Sequence, residues 1–373
     1  MTHCLPSLTI LFLLLGVVTS AVSTKAPGWQ RHVIGADIFT LTAVAADFTG
    51  DGLVDVIASI GDSGEDVLFV APDWKRIGLR AQPAAIHSAV LDMDSDGDPD
   101  FVGAQYSPAF LYWLERPARP LTDPWPLHVL DDSKKGGVDG IHGLAVGDVN
   151  RDGKPDLIAN SAQPKGSFPE SLVWYSAPRF ERHVFSDRDA PGLSHYLGFG
   201  DVNGDGRPDI ASAAKVGNWF AWWEAPEDPA RVWKKHLIAE GQEGATNVLM
   251  ADVNRDGNTD FVASRGHGKG LVWYEGPRWT SHEINSDLIG PHTLAVDDLD
   301  KDGDSDAVTC AKDSKVLAWF ENDGKGQFSE HRIYEDQAAY DIRVVDMDKD
   351  GDLDILVAGQ DSKNLVWYEN RMK

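Results

Sequence analysis

Seven nine-residue stretches gather much of the acid in this chain, and their spacing is that of a hard-cation site. In Asp298-Leu299-Asp300-Lys301-Asp302-Gly303-Asp304-Ser305-Asp306, side-chain oxygens stand at positions 1, 3, 5 and 9 and glycine at 6. The ligand set is Asp298, Asp300, Asp302 and Asp306. Two further copies carry four carboxylates: Asp92, Asp94, Asp96, Asp100 and Asp346, Asp348, Asp350, Asp354. Three place asparagine at position 3: Asp148, Asn150, Asp152, Asp156; Asp201, Asn203, Asp205, Asp209; and Asp252, Asn254, Asp256, Asp260. The first copy keeps Asp47, Asp51 and Asp55, with Thr49 at position 3. Calcium takes six to eight oxygens in flexible geometry, so these groups and a main-chain carbonyl at position 7 can surround it. An EF-hand would need glutamate at position 12 and flanking helices. Ala159 and Val357 stand there instead, between strand-like runs. The expectation is up to seven calcium ions.

A second set of chemically capable residues lies just upstream of these loops. His87 is five residues before its first loop aspartate; His142, His195 and His292 are six before theirs. Thr42, Asn247 and Asp341 hold the matching places in other copies. Four histidines with Asn247 and Asp341 around one point could hold a transition metal or supply acid and base groups. Alternatively, each hydrogen-bonds only within its own turn. Side chains alternate faces along a strand, so His87 would point away from the other three unless a bulge intervenes.

The elements that must position these residues recur with the loops. The loop starts are 45, 56, 53, 51, 46 and 48 residues apart, a period of stacked units or blades. An apolar run precedes each loop (Thr293–Val296), and a second follows it (Phe261–Ala263). A third is aromatic (Leu271–Tyr274), and a fourth alternates around a histidine (Trp233–Ile238). All are short, rich in β-branched and aromatic residues, and punctuated by Gly, Pro, Asn and Asp. Four strands in seven periods predict an all-β, seven-bladed β-propeller. Blades are expected over about 38–80, 84–130, 138–185, 192–238, 244–284, 289–333, and 338–370 completed by 29–34. The strand Trp29–Ile34 precedes every loop and should close the last blade.

Residues at fixed repeat positions read as scaffold. Trp113, Trp174, Trp222, Trp273, Trp319 and Trp367 should pack between blades. His32, His128, His183, His236, His282 and His331, on the outermost strand, should make structural hydrogen bonds. If the acidic loops mark the bottom, the upstream histidines ring the top mouth of the central channel. The loops joining second to third strands share that face and bring Gln105, Gln163, Lys215, Arg265, Lys312 and Gln360, with His267 and Lys269 nearby. Cations beside histidines on so acidic a chain would suit a carboxylate- or hydroxyl-bearing ligand such as an acidic sugar. They could equally be ordinary solvated loop residues. Tyr106 and Tyr196 are candidate liners, and insertions at 134–139, 163–170 and 187–192 could wall a pocket.

The Asp-Val-Asn-x-Asp-Gly-x-x-Asp loops, each followed by an apolar strand, resemble VCBS/FG-GAP repeats, the blade units also found in integrin α-subunit propellers. The resemblance covers about 29–370. The Phe-Gly…Gly-Ala-Pro signature is not evident, which favours the VCBS-like branch. The resemblance implies a seven-bladed propeller with calcium between first and second strands, and roles in adhesion, glycan binding or sugar lyase and dehydratase chemistry.

The net charge of −25 argues against nucleic acid and anionic membranes as partners. Twenty-four carboxylates sit at the loop ligand positions, so the acidity is mainly a metal-site signature. Residues 1–24 read as a secretory signal, with an apolar run Ile10–Val18 too short to span a bilayer. A single domain then occupies 25–373. The mature chain keeps one cysteine, Cys310, so metal rather than disulfide is the expected staple. No nucleophile elbow, phosphate loop or zinc-protease motif occurs. The expectation is a secreted or periplasmic, calcium-stabilised propeller. It would bind an extracellular ligand, carbohydrate in the first instance, at a histidine-rich site on the top centre. A metal-dependent sugar lyase or dehydratase using the same histidines is the alternative, and an adhesion module the third.

Overall fold

Short runs of β-branched, aromatic and small residues, each ended by glycine or an acidic turn, fold into strands throughout. The computed structural model describes residues 28–81 and 84–372; the signal expected over 1–24 lies outside the described residues. The strands form seven four-stranded antiparallel sheets, one per repeat. Blades 1 to 6 span 40–81, 87–132, 144–186, 194–240, 247–289 and 291–335. Blade 7 takes three strands from 341–370 and its outermost strand, Trp29–Ala36, from the start of the described chain. Val33 pairs with Val366 across that seam. Each blade runs from the axis outwards, and the innermost strands of consecutive blades adjoin. Asp341–Val345 of blade 7 meets Thr40–Ala46 of blade 1, so the ring closes. Blade 5 differs from the expected boundary: its outer strand runs Thr280–Ile289, and register shifts beside Leu271 absorb the extra residues. No helix among the described residues is long and apolar enough to cross a membrane.

Burial follows from this packing. Second strands such as Asp209–Ala214 are buried along their whole length, because neighbouring blades cover both faces. Outer strands such as Leu127–Asp132 alternate between exposed and covered. Seven apolar clusters result, one at each blade interface. Trp319 of blade 6 packs with Ile342 and Ile355 of blade 7, and Trp174 of blade 3 with Ile210 and Trp219 of blade 4. Each repeated tryptophan also stacks on the fourth-strand histidine of its own blade, as Trp222 on His236 at 4.3 Å. In five blades the histidine Nε2 then reaches a glutamate at the end of the third strand, as His236 to Glu224 at 2.7 Å; in blade 3 His183 meets Ser176 at 3.1 Å instead. Repetition at a fixed position thus marks scaffold.

The acidic loops join first to second strands at one end of the barrel. At Gly303 φ is +90°, a conformation glycine adopts without strain. Its N–H donates to Asp298 Oδ2 at 3.0 Å, which closes the turn. The opposite end carries the starts of the inner strands, and there the repeat breaks down.

Candidate functional site at the axis

The acidic loops bring together oxygens of the kind that a hard cation would take. Side-chain oxygens of Asp92, Asp94 and Asp96 lie within 4.8 Å of one another, as do those of Asp298, Asp300 and Asp302, and of Asp346, Asp348 and Asp354. Asp298 Oδ1 and Asp346 Oδ1 are buried with no donor among the described residues, a state that a cation would relieve. Position 9 has a second task. Asp306 is fully buried and accepts the Leu299 N–H at 3.2 Å and the Asn322 N–H at 2.8 Å. It therefore ties the loop to the end of the third strand. Asp354 does the same with Met347 and Asn370. Burial pushes both carboxyls up to about 7, against the pull of these N–H bonds.

At the other end, three histidines converge. His142, His195 and His292 are buried, and their ligand atoms lie within 4.8 Å of one another. The His142 and His195 rings stack at 3.8 Å. All three come six residues before a loop aspartate, where the ladder is irregular. In blade 6, Pro291 pairs with Ala311 and Thr293 with Cys310, so His292 is the extra residue of a bulge. In blade 4 the register shifts between Ser194 and Leu197, around His195. In blade 3 the inner strand starts only at Leu144, and the N–H of His142 donates to Asn160 Oδ1 at 2.7 Å. A bulge re-aims a side chain, and at His195 and His292 it turns two rings to the point that His142 reaches from ahead of its strand. His87, five residues before its aspartate, sits in the regular ladder opposite Ala104. It stands beside the trio, 5.2 Å from His142 between ring centroids, and its edge meets Tyr196 at 4.5 Å.

The hydrogen bonds fix which nitrogens are free. His195 Nδ1 lies 3.1 Å from the Leu193 carbonyl, and His292 Nδ1 lies 3.1 Å from the Tyr340 carbonyl. A carbonyl only accepts, so each Nδ1 carries the proton and each Nε2 the lone pair. His292 Nε2 and His142 Nδ1 are buried without a partner. Burial holds all three imidazoles well below their usual pKa, and the proximity of the other histidines adds to the effect. Neutral imidazoles whose second nitrogen is anchored are suited to a borderline metal such as zinc.

The remaining candidates divide. Lys215 is half-buried near His195 and His267, and it lowers the pKa of both. Lys312 bonds Gln360 at 2.8 Å and Asp361 at 3.2 Å, 6.0 Å above the Tyr340 ring. Gln163 donates to the Tyr106 hydroxyl at 3.1 Å. Arg265 is turned away to Gln242 and Glu283. Gln105 lines a separate hollow with Arg80 and Lys134. Asn247 braces the wall, donating to the His292 carbonyl at 2.7 Å. Asp341 is buried against Thr42 and Arg343. Two residues were undervalued by sequence reasoning. Tyr340 lies six residues before Asp346, the same position as the three histidines. His267, at the rim, places its Nε2 3.0 Å from His195 Nε2. Loss of water around its ring, then Lys215 and Lys312, push its pKa down to about 4.

Two equivalent clefts open on the acidic-loop face. One, between blades 7 and 1, holds about 420 Å³ and is lined by Trp367 and Trp74. The other, between blades 4 and 5, holds about 360 Å³ and is lined by Trp222 and Trp279. Trp74 and Trp279 both adopt positive φ, 56° and 57°, a costly conformation for so bulky a residue.

Solved structures share this architecture. A lectin of Agrocybe aegerita, described for its specific recognition of non-reducing terminal N-acetylglucosamine, is 17% identical with a TM-score of 0.54; 90% of this chain and 87% of that one are covered. BBS1N, solved in complex with ARL6DN, is 11% identical with a TM-score of 0.62, over 94% and 98%. The V. cholerae biofilm matrix protein Bap1 is 10% identical with a TM-score of 0.50, over 93% and 89%. No curated protein sequence matches the chain. The family model for FG-GAP-like repeats matches residues 92–159, 201–263 and 298–357, more than half of the sequence, and the chain belongs to that family.

Proposed function

We propose that this propeller works outside the cytoplasm, secreted or periplasmic, with calcium on its acidic loops. In this reading a transition-metal ion on His142, His195 and His292 holds a carbohydrate ligand at the axis. The observation that carries the reading is the set of three converging imidazoles, two with Nδ1–H anchored to a carbonyl. A bound ion would present Lewis acidity to a hydroxyl or carboxylate of the ligand. Lys215 and Lys312 stand at the rim to complement an acidic group, and Tyr106 flanks His142 at 5.5 Å. The anchored Nδ1–H groups of His195 and His292 turn each Nε2 lone pair to the shared centre, as metal ligands require. The test is metal content. The purified full chain should carry about one equivalent of Zn, Mn or Fe besides calcium. A His142→Ala/His195→Ala double variant should lose that equivalent and keep its calcium. Calcium alone, unchanged in the double variant, contradicts the reading.

The paired tryptophan clefts favour a second reading, a glycan-binding module without chemistry. There, a sugar ring would stack on the half-buried Trp279 at the blade interface. The likeness to a lectin supports a carbohydrate for either site. Glycan binding that survives the double histidine variant but is lost in Trp279→Ala would select this reading over the first.

A further inference from the structure

His267 belongs to no repeat position. It stands on the turn between the second and third strands of blade 5, Asp260–Ser264 and Lys269–Glu275. The turn is held backbone to backbone: the His267 N–H donates to the Gly244 carbonyl at 3.1 Å. A side chain at Gly244 would collide with the backbone of His267 and Gly268 at 2.3–2.7 Å, so glycine there lets the turn sit this close to the axis. The consequence is the 3.0 Å contact between His267 Nε2 and His195 Nε2. The His267 ring is also 4.9 Å from that of His292.

The direction of that hydrogen bond is fixed. The Leu193 carbonyl keeps the His195 proton on Nδ1, so His195 Nε2 only accepts and His267 Nε2 donates. His267 thus bonds to the lone pair that His195 would give to a metal, and the bond and the ion exclude each other. Two nitrogens on a tetrahedral ion, each about 2.1 Å from it, stand about 3.4 Å apart. His267 is already near that separation from His195, and lies outside the 4.8 Å set that His142, His195 and His292 form, so it must swing in to join them. No protein group among the described residues bonds its Nδ1, so its proton can pass from Nε2 to Nδ1 through water with no net change in charge. The other three imidazoles each have one nitrogen held by a group that is not a ligand; the one side-chain hydrogen bond of His267 among the described residues is to His195 itself.

We propose that His267 is a fourth, displaceable ligand of the metal held by His142, His195 and His292. It completes a four-imidazole site at rest and yields its place to an oxygen of the incoming ligand. This rests on the metal reading of the axial site.

The test uses Co(II) as the probe, titrated into the chelator-stripped full chain in excess calcium so that the loops are filled. Wild type should show intense tetrahedral d–d bands. His267→Ala and the polar His267→Asn should still take up Co(II), with shifted bands. Both should bind Zn(II) in competition at least about tenfold more weakly, since even loss of an outer partner costs that much. Added imidazole should restore the wild-type spectrum to His267→Ala. Unchanged bands and Zn(II) affinity in both variants would overturn the proposal while leaving the three-histidine site intact. A wild type without such bands would overturn the axial metal reading itself.

Discussion

The Tyr340 hydroxyl lies 2.8 Å from His142 Nε2, although 198 residues separate the two in sequence. The same tyrosine accepts the His292 Nδ1–H through its carbonyl and stacks on the His292 ring at 4.1 Å. One residue of blade 7 thus orients the imidazoles of His142 and His292, from blades 3 and 6. Tyr340→Phe keeps the ring and the carbonyl and removes only the hydroxyl. Metal affinity at the axis should fall about 10–100-fold, while thermal stability stays close to wild type. Competition against a chelator of known affinity measures it; an unchanged affinity contradicts this orienting role.

Acid should expose the buried histidines. His87 has its pKa well below 6.5, because burial strips water from the ring and Arg343 opposes a second positive charge. The unfolded chain takes up a proton near pH 6.5 that the folded protein refuses. Stability from this group is complete above that pH and is lost as pH falls below it, at about 1.4 kcal/mol per unit. His87→Gln should flatten the acid limb by that amount in calcium-saturated protein. Urea midpoints from about pH 7.5 to about 5 read the slope; parallel limbs for variant and wild type contradict the assignment.

The propeller was legible because its causes repeat. Seven loops, seven aromatic runs and one orphan strand, Trp29–Ile34, state the topology without any long-range information. The axial site was harder to read because it uses the residues that do not repeat, and because two layers interleave there. Six residues before the loops lie His142, His195, His292 and Tyr340; five before lie His87, Tyr196, Asn247 and Asp341. Sequence reasoning grouped His87, Asn247 and Asp341 with His142, His195 and His292; in the structure His87 keeps the regular ladder and adjoins His142, while Asn247 bonds the His292 carbonyl and Asp341 pairs with Thr42 and Arg343. Bulges set His195 and His292 apart from the regular ladder, His142 and Tyr340 precede their strands, and neither feature leaves a composition signal. His267 arrives from a turn whose approach depends on Gly244, a contact that no spacing rule reports.

The loops should differ in calcium affinity. Loop 1 carries Thr49 where the others place aspartate or asparagine, and the Thr49 N–H is spent on Asp55. Thr49→Asp should tighten or add a site. Asp346→Ala, which deletes an oxygen buried without a donor, should remove one. Bound ions stabilise the fold by about 2.7 kcal/mol at a hundredfold excess over Kd. Calcium stoichiometry and the melting temperature with and without chelator check both. A melting temperature indifferent to chelation contradicts calcium as a staple.

Position 9 should matter even without calcium. Asp306→Ala leaves the Leu299 and Asn322 N–H groups buried and unpaired, at about 1–3 kcal/mol each. The expected loss is about 2–6 kcal/mol, and it should persist in chelator. Denaturant unfolding of the variant in calcium and in chelator reads it. A loss that disappears in chelator would make Asp306 a calcium ligand alone.

The central claim is a transition metal on the axis. The direct measurement is anomalous diffraction at the zinc edge from crystals of the full chain grown with calcium and one equivalent of Zn(II). The account predicts a peak bonded to His142, His195 and His292 at about 2.0–2.1 Å per nitrogen. Zinc confined to the acidic loops, with the three imidazoles left apart, would contradict it.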